Sequence, residues 1–184
     1  MDFNTRNNYA SRLAVLVALL LLSLPGVAQH EEEASEHAGT KWRIGLAMIN
    51  SHVPAIEDSK QRAIIPTWGL DVDYKLSHRW VLGFILDVEL QSYRVNYGDV
   101  TELEREFPVT AGLALIYEIN RNVSFGVGYA HEFETHESFD IVFVQGMYTF
   151  RLPKNYDISP GLVYNGRLNA FDTYSFNLAV GKSF

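Results

Sequence analysis

From Trp42 to the end of the chain, apolar positions alternate with polar or small ones at a period of two, the pattern of β-strands with two unlike faces. A first segment sets Trp42, Ile44, Leu46 and Met48 against Arg43, Gly45 and Ala47. A second sets Trp68, Leu70, Val72 and Tyr74 against Thr67, Gly69, Asp71, Asp73 and Lys75. The third is the most regular, with Trp80, Leu82, Phe84, Leu86, Val88 and Leu90 opposing Val81, Gly83, Ile85, Asp87, Glu89 and Gln91. A fourth carries Phe107, Val109, Ala111, Leu113, Leu115 and Tyr117 on its apolar side, and a fifth Val123, Phe125, Val127 and Tyr129 opposite Gly126, Gly128 and Glu132. In the sixth, Val142, Val144, Tyr148 and Phe150 form the apolar face, but Ile141, Phe143 and Met147 have the other parity, which calls for a bulge or a partly apolar inner face. Tyr156, Ile158, Pro160, Leu162 and Tyr164 mark a seventh strand, and Tyr174, Phe176, Leu178, Val180 and Phe184 an eighth.

Alternation does not say which face points inward, because a soluble lipocalin-like barrel buries its apolar face and a membrane barrel turns it outward. Three features favour the second arrangement. Gly45, Gly69, Gly83, Gly112, Gly126, Gly128, Gly161 and Gly181 all fall on the non-apolar face, which suits a crowded interior better than a water-facing surface. Connections alternate in length: 76–79, 118–122 and 151–155 are tight, 51–64 and 92–105 are long, and 134–138 is short for its side. Finally, Trp42, Tyr74, Trp80, Tyr117, Tyr148, Phe150, Tyr156 and Phe184 lie on the apolar face at the strand ends nearest the short turns, where an aromatic girdle would meet a membrane interface. The expected fold is all-β, an eight-stranded antiparallel up-and-down transmembrane β-barrel over residues 42–184.

Composition adds export and removes several chemistries. Arg6 and Arg12 precede an apolar run over 13–24 and the small residues Gly26 and Ala28, so residues 1–28 read as a cleaved signal peptide. The run is short of the roughly 20 residues that a membrane helix needs. Residues 29–41 form an acidic stretch without apolar periodicity, expected to be disordered. Its His30 and His37, with Glu31, Glu32, Glu33 and Glu36, are ligand types for a divalent metal, although a solvated tail is the simpler reading. A net charge of −7 without basic clusters offers nucleic acid no footprint, and the absence of cysteine excludes disulfides, thiolate metal sites and a lipidated N-terminal Cys.

The last strand, Tyr174-Ser-Phe-Asn-Leu-Ala-Val-Gly-Lys-Ser-Phe184, with its apolar alternation and final Phe, resembles the small eight-stranded outer-membrane β-barrel family. The resemblance covers 42–184 as a pattern; Phe176, Leu178, Val180 and Phe184 match and Lys182 departs. It implies the outer membrane of a Gram-negative bacterium, contact with outer-membrane lipids, and insertion by the barrel-assembly machinery through the C-terminal strand.

An eight-stranded barrel is just wide enough for side chains to fill. Arg43, Asp71, Asp73, Lys75, Asp87, Glu89, Gln91 and Glu132 are the expected lumen residues, with a network centred on Arg43 and Lys75. A plugged barrel with a structural or surface-interaction role, and an unidentified surface partner, is therefore the leading expectation. A narrow cation pathway, a lipid-modifying enzyme and a soluble lipocalin-like binder are the alternatives. For the enzyme, His136-Glu137-Ser138 is similar in spelling to the His-x-Ser pair of lipid A deacylases, but Asp140 lies about 13 Å from His136 along an extended chain and no other orienting acid stands out. His131 reads as a rim residue, His78 as part of a turn and His52 as part of the first loop. No catalytic residue, metal site or cofactor is expected.

Overall fold

The computed structural model describes residues 40–54, 62–97, 100–134, 137–168 and 170–184. The expected signal peptide, the tail as far as residue 39 with its two histidines, and His136 lie outside them. Within them the chain forms β1 (Trp42–Pro54), β2 (Arg62–Lys75), β3 (Trp80–Glu89), β4 (Tyr93–Tyr97), β5 (Val100–Arg105), β6 (Val109–Glu118), β7 (Val123–Phe133), β8 (Phe139–Tyr148), β9 (Phe150–Leu152), β10 (Tyr156–Arg167) and β11 (Thr173–Ser183).

The wall runs β1-β2-β3-β6-β7-β8-β10-β11, every neighbouring pair antiparallel. Pairing of β11 with β1, from Arg43 opposite Ser183 to His52 opposite Tyr174, closes it into a barrel. The sheet therefore has no free edge, and its backbone groups are satisfied within the wall. β9 continues β8: Met147 faces Gly161 and Phe150 faces Ile158 in one unbroken register. Thr149 thus interrupts the strand without a bulge, and it binds Ser159 across the gap at 3.0 Å. Eight wall strands result.

The period of two becomes an inside and an outside. Leu46 is 59% exposed while Ala47 beside it is 1% exposed. Ile141 and Phe143 are buried inside, so the lumen is partly apolar at the sixth wall strand and no bulge is needed. Large inner side chains fit because glycine faces them across the ladder. A Cβ on Gly69 would meet the Asp87 carboxylate at 2.6 Å, and one on Gly128 would meet Phe143 at 2.2 Å and the Leu113 carbonyl at 2.5 Å.

One end of the barrel carries the short turns, closed by local hydrogen bonds. Asn120 Oδ1 accepts from the backbone N–H of Asn122 and Val123 at 2.8 and 2.9 Å, and Ser77 Oγ from that of Trp80 at 3.2 Å. Lys41, at the end of the expected tail, donates its N–H to the Phe184 carbonyl at 3.0 Å and is thereby tied to the wall.

The loop end departs from expectation in three places. Residues 93–97 and 100–105 are not open loop but the paired strands β4 and β5, because Tyr93 and Val95 share a face and bury it with Val53, Ile65, Phe139 and Phe171 over the barrel mouth. His52 lies within β1 rather than in a loop, stacked on Tyr174 with ring centroids 5.4 Å apart. Phe107 precedes its strand with φ 45°, and β6 starts only after Pro108, which has no N–H for the ladder.

Gly128→Ala should lower stability by about 1–3 kcal/mol, because the Leu113 carbonyl cannot yield. Gly146→Ala, which meets nothing within 4 Å, should be neutral. Urea midpoints of the refolded barrel compare the two.

Candidate functional site

The lumen is organised in levels. Nearest the turns, Arg43 on β1 donates two hydrogen bonds to Asp157 on β10, Nη2 to Oδ1 at 2.6 Å and Nε to Oδ2 at 2.9 Å, and a third from Nη1 to Asp73 on β2 at 3.0 Å. The fork of the guanidinium matches the carboxylate, and three strands are tied at one point. Gly45 and Gly181 make room for it: a Cβ on Gly181 would lie 2.4 Å from the Arg43 Nη2. Lys75 does not join this group. It pairs with Glu118 at 3.0 Å at the half-exposed turn rim.

At the loop end a second cluster is almost wholly dry. Glu132 on β7 lies between Arg105, whose Nη2 donates to Oε1, and Arg167, whose Nη2 donates to Oε2 at 2.6 Å. Arg105 also binds Glu134 at 3.1 Å, while Arg167 binds the Thr173 hydroxyl at 2.9 Å and lies 3.6 Å from Glu89. Each guanidinium has an aromatic face against it, Phe139 at 4.7 Å from Arg105 and Phe171 at 5.0 Å from Arg167. Beyond this cluster comes the apolar cap. There, burial and then the neighbouring Glu89 push the Tyr93 phenol well above its ordinary value, so it stays protonated.

Asp71 and Asp87 lie between the two clusters on β2 and β3, beside a cavity of about 60 Å³. Of the expected lumen residues, then, Arg43 and Asp73 meet, Glu89 and Glu132 both reach Arg167, Asp71 and Asp87 border the cavity, and Lys75 is at the rim. Gln91 falls beyond the end of β3 and is exposed, because the chain leaves the wall there for the β4–β5 hairpin. Asp157, Arg167, Arg105 and Glu118 were not among the expected lumen residues. Parity would have found the first two, since Asp157, Ser159, Gly161 and Arg167 share the inward face of β10. Arg105 carried no such signal, as its segment read as a loop.

On the outer surface the expected girdle residues are in ring contact in pairs: Trp42 with Tyr74 at 4.7 Å, Trp80 with Tyr117 at 4.9 Å, and Tyr148 with Phe150 at 4.8 Å. Lys182 lies over Tyr156 and Phe184, 5.3 and 5.1 Å from their centroids, so the residue that departs from the terminal-strand pattern is itself part of the ring. The loop end has a polar counterpart. Tyr129 donates its hydroxyl proton to Asp140 at 2.5 Å, His131 Nδ1 lies 2.8 Å from the same oxygen, and Tyr164 binds Asp172 at 2.8 Å. An acid that orients an imidazole on the outer face therefore exists, and it serves His131 on the adjoining strand.

Arg105→Leu should cost about 3–5 kcal/mol, because it strips a partner from the buried Glu132 and Glu134. Lys75→Met at the rim should cost less than about 1 kcal/mol. Unfolding in urea would measure both.

No family model and no curated protein matches the chain. Among solved structures it is similar to Ail, the attachment invasion locus protein of Yersinia pestis, in complex with the heparin analogue sucrose octasulfate, at 15% identity and a TM-score of 0.52, over 79% of this chain and 99% of that one. It is similar also to the N-terminal β-barrel domain of Pseudomonas aeruginosa OprF, at 13% identity and a TM-score of 0.53, over 79% and 99%. Closed by β1 on β11, apolar outside and ionic within, the chain has the fold of the small eight-stranded outer-membrane β-barrels.

Proposed function

We propose that this protein is an integral outer-membrane barrel of a Gram-negative bacterium, exported with residues 1–28 as signal peptide, with a plugged lumen and a structural or surface-interaction role. The observation that carries the reading is the inversion of the wall. Trp42, Leu46, Leu113 and Leu162 are exposed, while Arg105, Glu132 and Arg167 are buried. In water that arrangement would expose a continuous apolar band and hide the charges; in a bilayer it places each group where it costs least.

The aromatic pairs and Lys182 fit one interface, and the Asp140 and Asp172 rim fits the other, since carboxylates do not sit in hydrocarbon. From Asp140 to Tyr148 the strand rises about 26 Å along its own axis, or roughly 20 Å of membrane thickness at barrel tilt. The turn end is then periplasmic, and the last strand, which pairs with both β1 and β10, is the element offered to the assembly machinery. The Arg43 and Glu132 clusters block the lumen from both ends, which supports a plug over a narrow cation pathway.

A second reading, a lipid-modifying enzyme, is favoured by one observation. His131 is oriented through Nδ1 by Asp140 on the outer face, which leaves Nε2 to act as a general base toward a hydroxyl or water at the membrane surface.

Three outcomes test these readings. Leu46→Arg should lower stability in lipid vesicles by about 2–4 kcal/mol, whereas no such penalty would mean that this face meets water. Planar bilayers containing the purified protein should stay electrically silent; regular single-channel steps would remove the plug. Lipopolysaccharide incubated with the protein should release no fatty acid under the structural reading, and release abolished by His131→Ala would replace it with the enzyme.

A further inference from the structure

Charge is divided unevenly between the two ends of the barrel. Lys41, Lys75, Arg79 and Arg121 stand at the turn end, and so do Arg151, Lys154 and Lys182. Against them the described residues of this end set one outward acidic side chain, Glu118, because Asp73 and Asp157 are turned into the lumen and held by Arg43. Glu118 pairs with Lys75 at 3.0 Å and lies 3.9 Å from Arg151. Arg79 donates to the Tyr117 hydroxyl at 3.0 Å, a partner without charge. Lys41, Arg121 and Lys154 are exposed, and among the described residues no carboxylate forms an ion pair with them.

Lys182 provides a second, independent observation. It has the lipid-facing parity of β11, in line with Val180 and Phe184, and its cross-strand neighbours are Ile44 and Tyr156. An ammonium on that face is expelled from hydrocarbon, and its flexible stem carries it to the interface. It ends 5.3 Å from the Tyr156 ring centroid and 5.1 Å from that of Phe184. Aromatic faces hold a cation there without neutralising it. Lys41 and Lys154 flank the same place. The first donates its N–H to the Phe184 carbonyl at 3.0 Å, and the second lies in the turn that leads into Tyr156. Strands β1, β10 and β11 thus set three uncompensated lysines around rings at headgroup level, which is the chemistry that takes the phosphate of a lipid whose chains lie along the wall.

We propose that this edge of the turn end binds anionic phospholipid, with Lys182 at the phosphate, Tyr156 and Phe184 against the glycerol and upper acyl chains, and Lys41 and Lys154 adding attraction from the turn side. A soluble anionic polymer fits less well, because Lys182 lies on the wall that faces lipid and not on the turns below it. This inference rests on the membrane reading and names the lipid that the turn end selects.

The test is the lipid shell of the full barrel in phosphatidylcholine bilayers at low salt, read by electron spin resonance with a trace of spin-labelled phosphatidylglycerol or phosphatidylcholine. The motionally restricted part of each spectrum measures the lipid held against the wall. One cation beside an anionic headgroup favours it about fivefold, so the shell averaged over both leaflets should prefer phosphatidylglycerol about twofold. Most of that preference should be lost in the Lys41→Gln/Lys154→Gln/Lys182→Gln variant, and all of it in molar salt, where screening acts within about 3 Å. Lys182→Gln alone should lower it, while Lys75→Gln, the same charge change in a residue already paired with Glu118, should not. Equal shells of the two lipids overturn the proposal, as does a loss in Lys75→Gln as large as that in Lys182→Gln. If the triple variant fails to insert, the single variants and the salt dependence decide, and a preference that persists in molar salt is fatal. Absence of a restricted component from either label would sink the membrane reading instead.

Discussion

Closure of the sheet through β1 and β11 is the constraint from which the other features follow, because a wall facing lipid can leave no backbone donor or acceptor unpaired. Eight strands are few, so a closed wall of this size encloses little space. Side chains of alternate parity must enter that space, and their combined volume decides what the inner face can be. Glycine is set across from aspartate, arginine and phenylalanine for this reason: Gly69 under Asp87, Gly181 under Arg43, Gly128 under Phe143. The small face that looks featureless in the sequence is the counterpart of the large charged one.

Charge in so narrow a space has to be compensated locally. The two arginine-centred clusters achieve this differently. Arg43 ties β1, β2 and β10 through a forked contact close to water, whereas Arg105 and Arg167 enclose Glu132 against aromatic rings in a dry site. The second arrangement couples the wall to the hairpin above it, because Arg105 is the last residue of β5 and Glu132 belongs to β7. The acid–base pairing of the lumen and the covering of the barrel mouth are therefore one structure.

Most of the wall was legible in the sequence, since a period of two along Trp42–Met48 or Trp80–Val88 has one structural meaning and the turns at 76–79 and 118–122 punctuate it. The inner residues on regular strands, such as Asp71, Asp73 and Asp87, were legible by the same parity. What was not legible depends on contacts between segments distant in sequence. Tyr93 and Val95 read as loop residues because their apolar partners, Val53, Ile65, Phe139 and Phe171, come from three other parts of the chain. Arg105 was hidden with them. The Tyr129, His131 and Asp140 group was equally hidden, since only the register of β7 against β8 brings its members together.

The position of Arg105 makes the barrel mouth and the strands that cover it a single mechanical unit. The residue sits at the end of β5, and its guanidinium is fastened below, to Glu132 and Glu134. Lifting the cover away would strand those two carboxylates in the wall without their cation, so movement at this end of the barrel is held to the scale of the wall itself and not of a loop.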